Sequence, residues 1–216
     1  MIDTPQHQGR RLKMAKELAA QNTYNEDVIS AISIVPRHLF VSSGLDNLAY
    51  ADKPLAIACS QTISQPSTVA LQSHLLGEIT GKRVLEIGTG CGYQTAILLQ
   101  MGAEVYSIER QKELCMIANG NLKRTGYNSA NLFFGDGHNG LPQFAPFDAI
   151  IVTCCAKEIP EKLLSQLKDG GKMVIPVGHI NNRQNMLVIE RTAEKEYTKR
   201  VVGECNFVPM LDGVTK

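Results

Sequence analysis

The sequence predicts an α/β fold, in which a central, mostly parallel sheet is flanked by helices, with an N-terminal helical extension and C-terminal antiparallel strands. Three observations carry this. From Lys82 onward, apolar runs of strand length alternate with segments of helical period. A turn with three glycines, Gly88, Gly90 and Gly92, joins the first such strand to the first such helix. Acids stand where the later strands end, Glu109 after the second and Asp136 after the third.

The N-terminal third reads as helices and a loop. Residues Pro5 to Ala20 place Leu12, Ala15, Leu18 and Ala19 on one helical stripe. A second helix starts after Asn25 as N-cap, with Glu26 and Asp27 in its first turn and Val28, Ile29, Ile32 and Val35 on its buried face. Pro36 ends it, and Arg37 to Val41 reads as a short docking turn. Periodicity fades from Ser42 to Ser67. So long an irregular stretch in a compact domain is usually functional. A helix follows, from about Ser67 to Glu78.

The α/β part opens with Val84–Ile87 as a strand covered on both faces and a helix from Tyr93 that Gly102 closes. Glu104–Glu109 is the second strand, Gln111–Thr125 the next helix, and Asn131–Phe134 the third strand, which runs into Gly135-Asp136-Gly137. Asp148–Thr153 is the fourth strand, Pro160–Leu167 a helix, and Asp169-Gly170-Gly171 a turn into a fifth strand, Lys172–Val177. Met186–Arg191 and Lys199–Glu204 read as an antiparallel pair.

A length of 216 residues suits one domain over 1–216, with helices and loop in 1–80, an α/β core in 81–178 and a β segment in 179–216. Net charge is +1 from 22 basic and 21 acidic residues that are well mixed, which argues against a nucleic-acid footprint or an acidic-membrane anchor. The N-terminus lacks the apolar core of a secretory signal and no apolar run reaches membrane-span length, so the cytoplasm is the expected compartment. Six cysteines form no C-x-x-C pair and no zinc spacing, so they read as free thiols and no metal is expected. Cys59, Cys91, Cys154 and Cys155 fall at loops or strand ends near the expected cleft, where they read as small apolar filler, with thiol oxidation that blocks activity as the alternative. His38, His74 and His138 read as structural or solvated.

The glycine spacing selects among ligands. A dinucleotide turn is G-x-G-x-x-G with a small third residue, but here the third glycine comes one residue early and Tyr93 takes the small position. The form Glu86-x-Gly88-x-Gly90-x-Gly92 resembles motif I of the class I S-adenosylmethionine (SAM)-dependent methyltransferases, whose fold is Rossmann-like. In such a site Glu86, Gly88, Thr89, Gly90, Gly92, Glu109, Asp136 and Gly137 would bind the cofactor. Glu109, 21 positions after Gly88, would accept hydrogen bonds from the ribose hydroxyls.

VPRHLFV (35–41), AYADKPLAI (49–57), QTISQP (61–66), VLEIGTGCGYQTAIL (84–98), GDG (135–137), FDAIIVT (147–153), LKDGGKMVIPVG (167–178) and FVPM (207–210) resemble, in order, segments of the protein-L-isoaspartate O-methyltransferases. The resemblance implies methyl transfer from SAM, leaving S-adenosylhomocysteine, to the α-carboxylate of L-isoaspartyl residues in damaged peptides and proteins. The ester then closes to a succinimide. It also implies that Ser64 orients the carboxylate, that Ile57, Thr62, Ile63, Pro176, Val177, Gly178, Val208 and Pro209 bind the peptide, and that the chain acts as a monomer. The family's P-I-G-x-G before QTIS is here Ala56-Ile57-Ala58-Cys59-Ser60. A different peptide or small-molecule acceptor, or a SAM-binding adaptor without activity, remains the alternative.

Overall fold

The computed structural model describes residues 2–179, 183–193 and 196–215. Helix α1, Pro5–Ala19, starts at Thr4, whose side chain and that of His7 cap one another's backbone N–H groups. Its buried stripe is Arg11, Met14, Ala15 and Leu18, while Leu12 faces outward. Helix α2, Glu26–Ile34, buries Val28, Ala31 and Ile32. Asn25 is its N-cap by backbone only, because its side-chain oxygen meets His74 Nδ1 at 3.0 Å instead. Pro36 ends α2, and Arg37–Phe40 forms a wholly buried 3-10 turn.

The stretch from 42 to 67 is not all irregular. Strands β1, Leu55–Ala56, and β2, Thr62–Ile63, make a small antiparallel hairpin of two residue pairs. Two pairs are too few to leave an alternation in the sequence. Helix α3, Pro66–Leu76, follows, with proline in its first turn.

The core sheet has seven strands in the order β5-β4-β3-β6-β7-β8-β9. These are β3 Arg83–Ile87, β4 Glu104–Glu109, β5 Asn131–Phe134, β6 Phe147–Val152, β7 Leu167–Gly178, β8 Gln184–Ala193 and β9 Glu196–Cys205. The first five are parallel and the last two antiparallel. Helices α4, Tyr93–Gln100, and α5, Lys112–Thr125, connect the parallel strands on one side. The chain runs outward from β3 to β5, then returns to place β6 on the other side of β3. Ligands bind open sheets at the carboxyl ends of strands beside such a reversal.

Alternation along β3 sends Val84 to one apolar layer, with α1 to α4, and Leu85 and Ile87 to the other. Two expectations need correction. Helix α6 is only Glu161–Leu164, and Leu167 already belongs to β7. Asp169-Gly170-Gly171 is no turn before the strand but a bulge within it. The register jumps from Phe147–Leu167 to Ala149–Lys172, and Gly170 takes φ +75°.

Candidate active site

The glycine turn is built from positions whose backbone favours glycine. Gly88, Gly90 and Gly92 have φ of +94°, +57° and +91°. A Cβ on Gly88 would lie 2.5 Å from Thr153 Oγ1, the hydroxyl that reaches the Gly88 carbonyl at 2.6 Å. A Cβ on Gly92 would press on Leu122 of α5 at 3.2 Å. The close approach leads directly into α4 and aims that helix's N-terminus at the sheet edge.

Glu109, at the end of β4, is buried and bridges two loops. One oxygen accepts from Gly90 N at 2.9 Å and the other from Gln111 N at 2.9 Å. Each oxygen keeps a second lone pair for a further donor. Beneath the turn, Glu86 is fully buried. Its Oε2 accepts from the hydroxyls of Thr95 at 2.5 Å and Ser107 at 2.6 Å, and Ser107 Oγ in turn meets Thr89 Oγ1 at 2.6 Å. Burial outweighs those hydroxyls and pushes the Glu86 carboxyl up to about 7. Glu86 Oε1 has no partner among the described residues.

One cleft runs over this edge. Its wall includes Thr62, Ile63 and Ser64 from the hairpin, Gly88, Thr89 and Gly90 from the turn, Glu109, Gly137, and Val208 with Pro209. Among the described residues no hydrogen bond occupies the Ser64 hydroxyl, whereas its carbonyl accepts from Arg37 Nη2 at 2.7 Å. Ile57 overhangs the turn, its Cδ1 3.7 Å from where a Gly90 Cβ would stand.

Other expected site residues lie outside that wall. Glu86 supports the turn from below, and Gly92 packs on α5. The Asp136 carboxylate is engaged by the chain itself. It accepts from Gly213 N at 2.8 Å and His138 N at 2.9 Å, and these bonds with the His138 ring overcome the effect of burial and hold its pKa below the usual value. Pro176, Val177 and Gly178 sit one row behind the cleft. Ala156 N donates to Pro176 O at 3.0 Å and Gly178 N to Ala156 O at 2.9 Å. Residues 208–210 pair on the cleft side of the same segment, through Cys155 N to Val208 O and Met210 N to Cys155 O, both 2.8 Å.

Sequence reasoning missed Arg110, Gln111, Leu114, Met210 and Leu211 on the wall. The first two simply follow Glu109. The tail could not be anticipated: it folds back so that Thr215 N donates to Arg110 O at 2.9 Å and Arg110 Nε to Gly213 O at 3.0 Å.

The cleft cysteines are kept protonated. Burial pushes the Cys91 and Cys154 thiols up to about 11 and 12, and it raises that of Cys155. Burial together with Glu113 raises that of Cys59. Thiols kept protonated are poor targets for oxidation. Asp3, His7 and His38 cluster at the N-terminus, but the two imidazoles stack with centroids 3.8 Å apart and planes 4° from parallel. In-plane lone pairs on stacked rings cannot meet at one metal ion.

The cleft fits SAM on this structure's own features. The turn has no space for a side chain at Gly88 and little at Gly92, α4 offers its N-terminus to a carboxylate, and Glu109 offers acceptors to a ribose diol. Ile87, Ile108, Leu114 and Met210 supply apolar walls for a flat base.

Comparison with known proteins agrees. A family model described as "Protein-L-isoaspartate(D-aspartate) O-methyltransferase (PCMT)" matches residues 10–215. Relatives named protein-L-isoaspartate O-methyltransferase from Christiangramia forsetii and Flavobacterium psychrophilum are each 50% identical, over 98% of this chain and 99% of theirs. A solved structure of that name superposes with a TM-score of 0.85 at 31% identity, over 92% of this chain and 65% of the longer one. One from Plasmodium falciparum, described as putative and in complex with S-adenosyl-L-homocysteine, superposes with a TM-score of 0.83 at 24% identity, over 93% of this chain and 98% of its own.

Proposed function

This chain belongs to the protein-L-isoaspartate(D-aspartate) O-methyltransferase family, and we propose that the cleft between its 62–64 hairpin and its glycine turn is where it methylates isoaspartyl carboxylates. The enzyme is a SAM-dependent protein carboxyl methyltransferase. SAM supplies a methyl carbon made electrophilic by its sulfonium and leaves as S-adenosylhomocysteine.

The observation that carries the site assignment is the Ser64 hydroxyl, unengaged among the described residues and set on the same cleft as the turn and Glu109. Glu109 and the turn it braces through Gly90 N hold the cofactor. Ser64 donates one hydrogen bond to the substrate carboxylate and aims it at the methyl. No base is required, because a peptide carboxylate is already ionised near neutral pH. Rate then comes from in-line placement and from water exclusion by Ile63, Val69 and Val208. After release a backbone amide nitrogen attacks the neutral ester, whose methoxy group leaves as methanol and a succinimide forms.

Thr62, Ile63, Val208 and Pro209 contact the peptide, while Pro176 to Gly178 shape the groove through Ala156. Glu86 and Asp136 serve the cofactor site by holding the turn and the tail rather than by touching the ligand. We read residues 1–216 as one unit acting as a monomer in the cytoplasm, with no nucleic-acid partner. The continuous sheet supports one unit, and the six free cysteines support a reducing compartment. Among the described residues no helix is long and apolar enough to cross a membrane.

A second reading, another acceptor, draws on the hairpin tip, where Cys59 and Ser60 have φ of +57° and +55° without being glycine. Labelled SAM with an isoaspartyl peptide and its aspartyl twin separates the two. Base-labile label in the first peptide alone is expected. Cofactor binding without transfer to either peptide would overturn the isoaspartyl reading.

A further inference from the structure

Arg37 is fully buried, and its guanidinium has no acid in contact among the described residues. Tyr93 and Cys91 act on it more strongly than the more distant Asp52, whose carboxylate is engaged by Ser67 N at 2.8 Å. A buried charge without a counterion is costly, so its neighbours must compensate it. They are three. Arg37 Nε donates to Ala49 O at 2.8 Å, Nη2 donates to Ser64 O at 2.7 Å, and the guanidinium carbon lies 4.7 Å from the centroid of the Tyr93 ring.

Each contact belongs to a different part of the site. Ala49 precedes the hairpin, Ser64 follows it, and Tyr93 opens α4 at the last glycine of the turn. Tyr93 is itself fully buried and lines the cleft. A planar fork can hold two carbonyls while its face rests on a ring; an ammonium cannot do both. Nothing else in the described structure bonds the Ser64 backbone to the cofactor side.

We propose that Arg37 is a positioning residue of the methyl transfer. It acts through Ser64 and Tyr93, setting the acceptor loop at a fixed distance from the cofactor turn. It touches neither substrate nor cofactor. The inference rests on the reading of Ser64 given above. Its effect belongs in kcat, because misplacing the acceptor by about 1 Å can cost about 10²-fold in rate while the cofactor's own contacts persist.

The test is R37K against the parent enzyme, with kcat, KM for SAM and the folded fraction by circular dichroism measured at the same temperature. Parent activity on the isoaspartyl peptide tests the function, and the ratio of variant to parent tests Arg37. We expect kcat to fall about 10²-fold with KM for SAM within about threefold. A kcat within about threefold of the parent overturns the proposal, as does a loss that only follows the unfolded fraction. Should R37K not fold, an amide-to-ester replacement at the Ser64–Gln65 bond decides. It weakens the Ser64 carbonyl as an acceptor and leaves Arg37 in place. A kcat about tenfold lower is expected, and an unchanged kcat overturns the proposal.

Discussion

Replacing Glu86 by Gln should make the protein more stable at alkaline pH while leaving it almost unchanged in mild acid. The carboxyl is wholly buried, and burial moves it from its ordinary 4.5 to about 7. The folded state therefore holds this proton more tightly than the unfolded one. The stability tied to it is greatest below the unfolded value, declines as pH rises, and is gone above the folded value. The loss between about pH 5 and about pH 8 is about 2 to 3 kcal/mol. Gln is an uncharged isostere that can still accept from Thr95 and Ser107, so it mimics the protonated acid and should show no such slope. Urea unfolding of the ligand-free protein at several pH values gives the answer directly. The gap between E86Q and the parent should widen by about 2 to 3 kcal/mol across that window, or about 5 to 10 °C in Tm for a chain of this size. A constant gap would mean that Glu86 is ionised in the folded state throughout and that the reasoning about its burial is wrong.

Three further outcomes follow from the site. Ser64→Ala should lower kcat/KM by about 10- to 100-fold, the worth of one hydrogen bond to a charged group, with an unchanged Kd for S-adenosylhomocysteine by calorimetry; full turnover would remove Ser64 from the mechanism. Gly88→Ala forces a side chain onto Thr153 and into a left-handed residue, so unfolding should become easier by at least about 2 kcal/mol and cofactor affinity should fall at least about tenfold, and retained affinity would show that the turn is not the cradle. Ser60→Gly should raise Tm by about 1 to 4 °C, because relief of a left-handed residue costing about 1 to 2 kcal/mol exceeds the added chain entropy of glycine, and a lower Tm would show that Ser60 is not strained.

Much of this was legible in the chain. Apolar runs at 84–87, 104–109 and 148–153 are strands because both faces of a parallel sheet are buried, so their sequence shows it. The turn was legible because all three positions take a positive φ that favours glycine. Less visible were features that depend on distant partners. The β1–β2 hairpin is stabilised by its place over the turn, not by local pattern. The Gly170–Gly171 bulge reads locally as a turn until β6 is laid beside it.

Sequence alone determined the fold class, the cofactor turn and the family, since each is written in local steric demands or in ordered motifs. Tertiary structure alone decided which acids touch the cleft. Glu86, Glu109 and Asp136 look alike as strand-end carboxylates, but one lies under the turn, one lines the wall, and one is held by the returning tail. It also decided that Arg37 lies beneath Ser64 and against Tyr93. A side chain's partners depend on which elements fold against it, and residues 37, 64 and 93 meet only once the N-terminal segment packs onto the sheet.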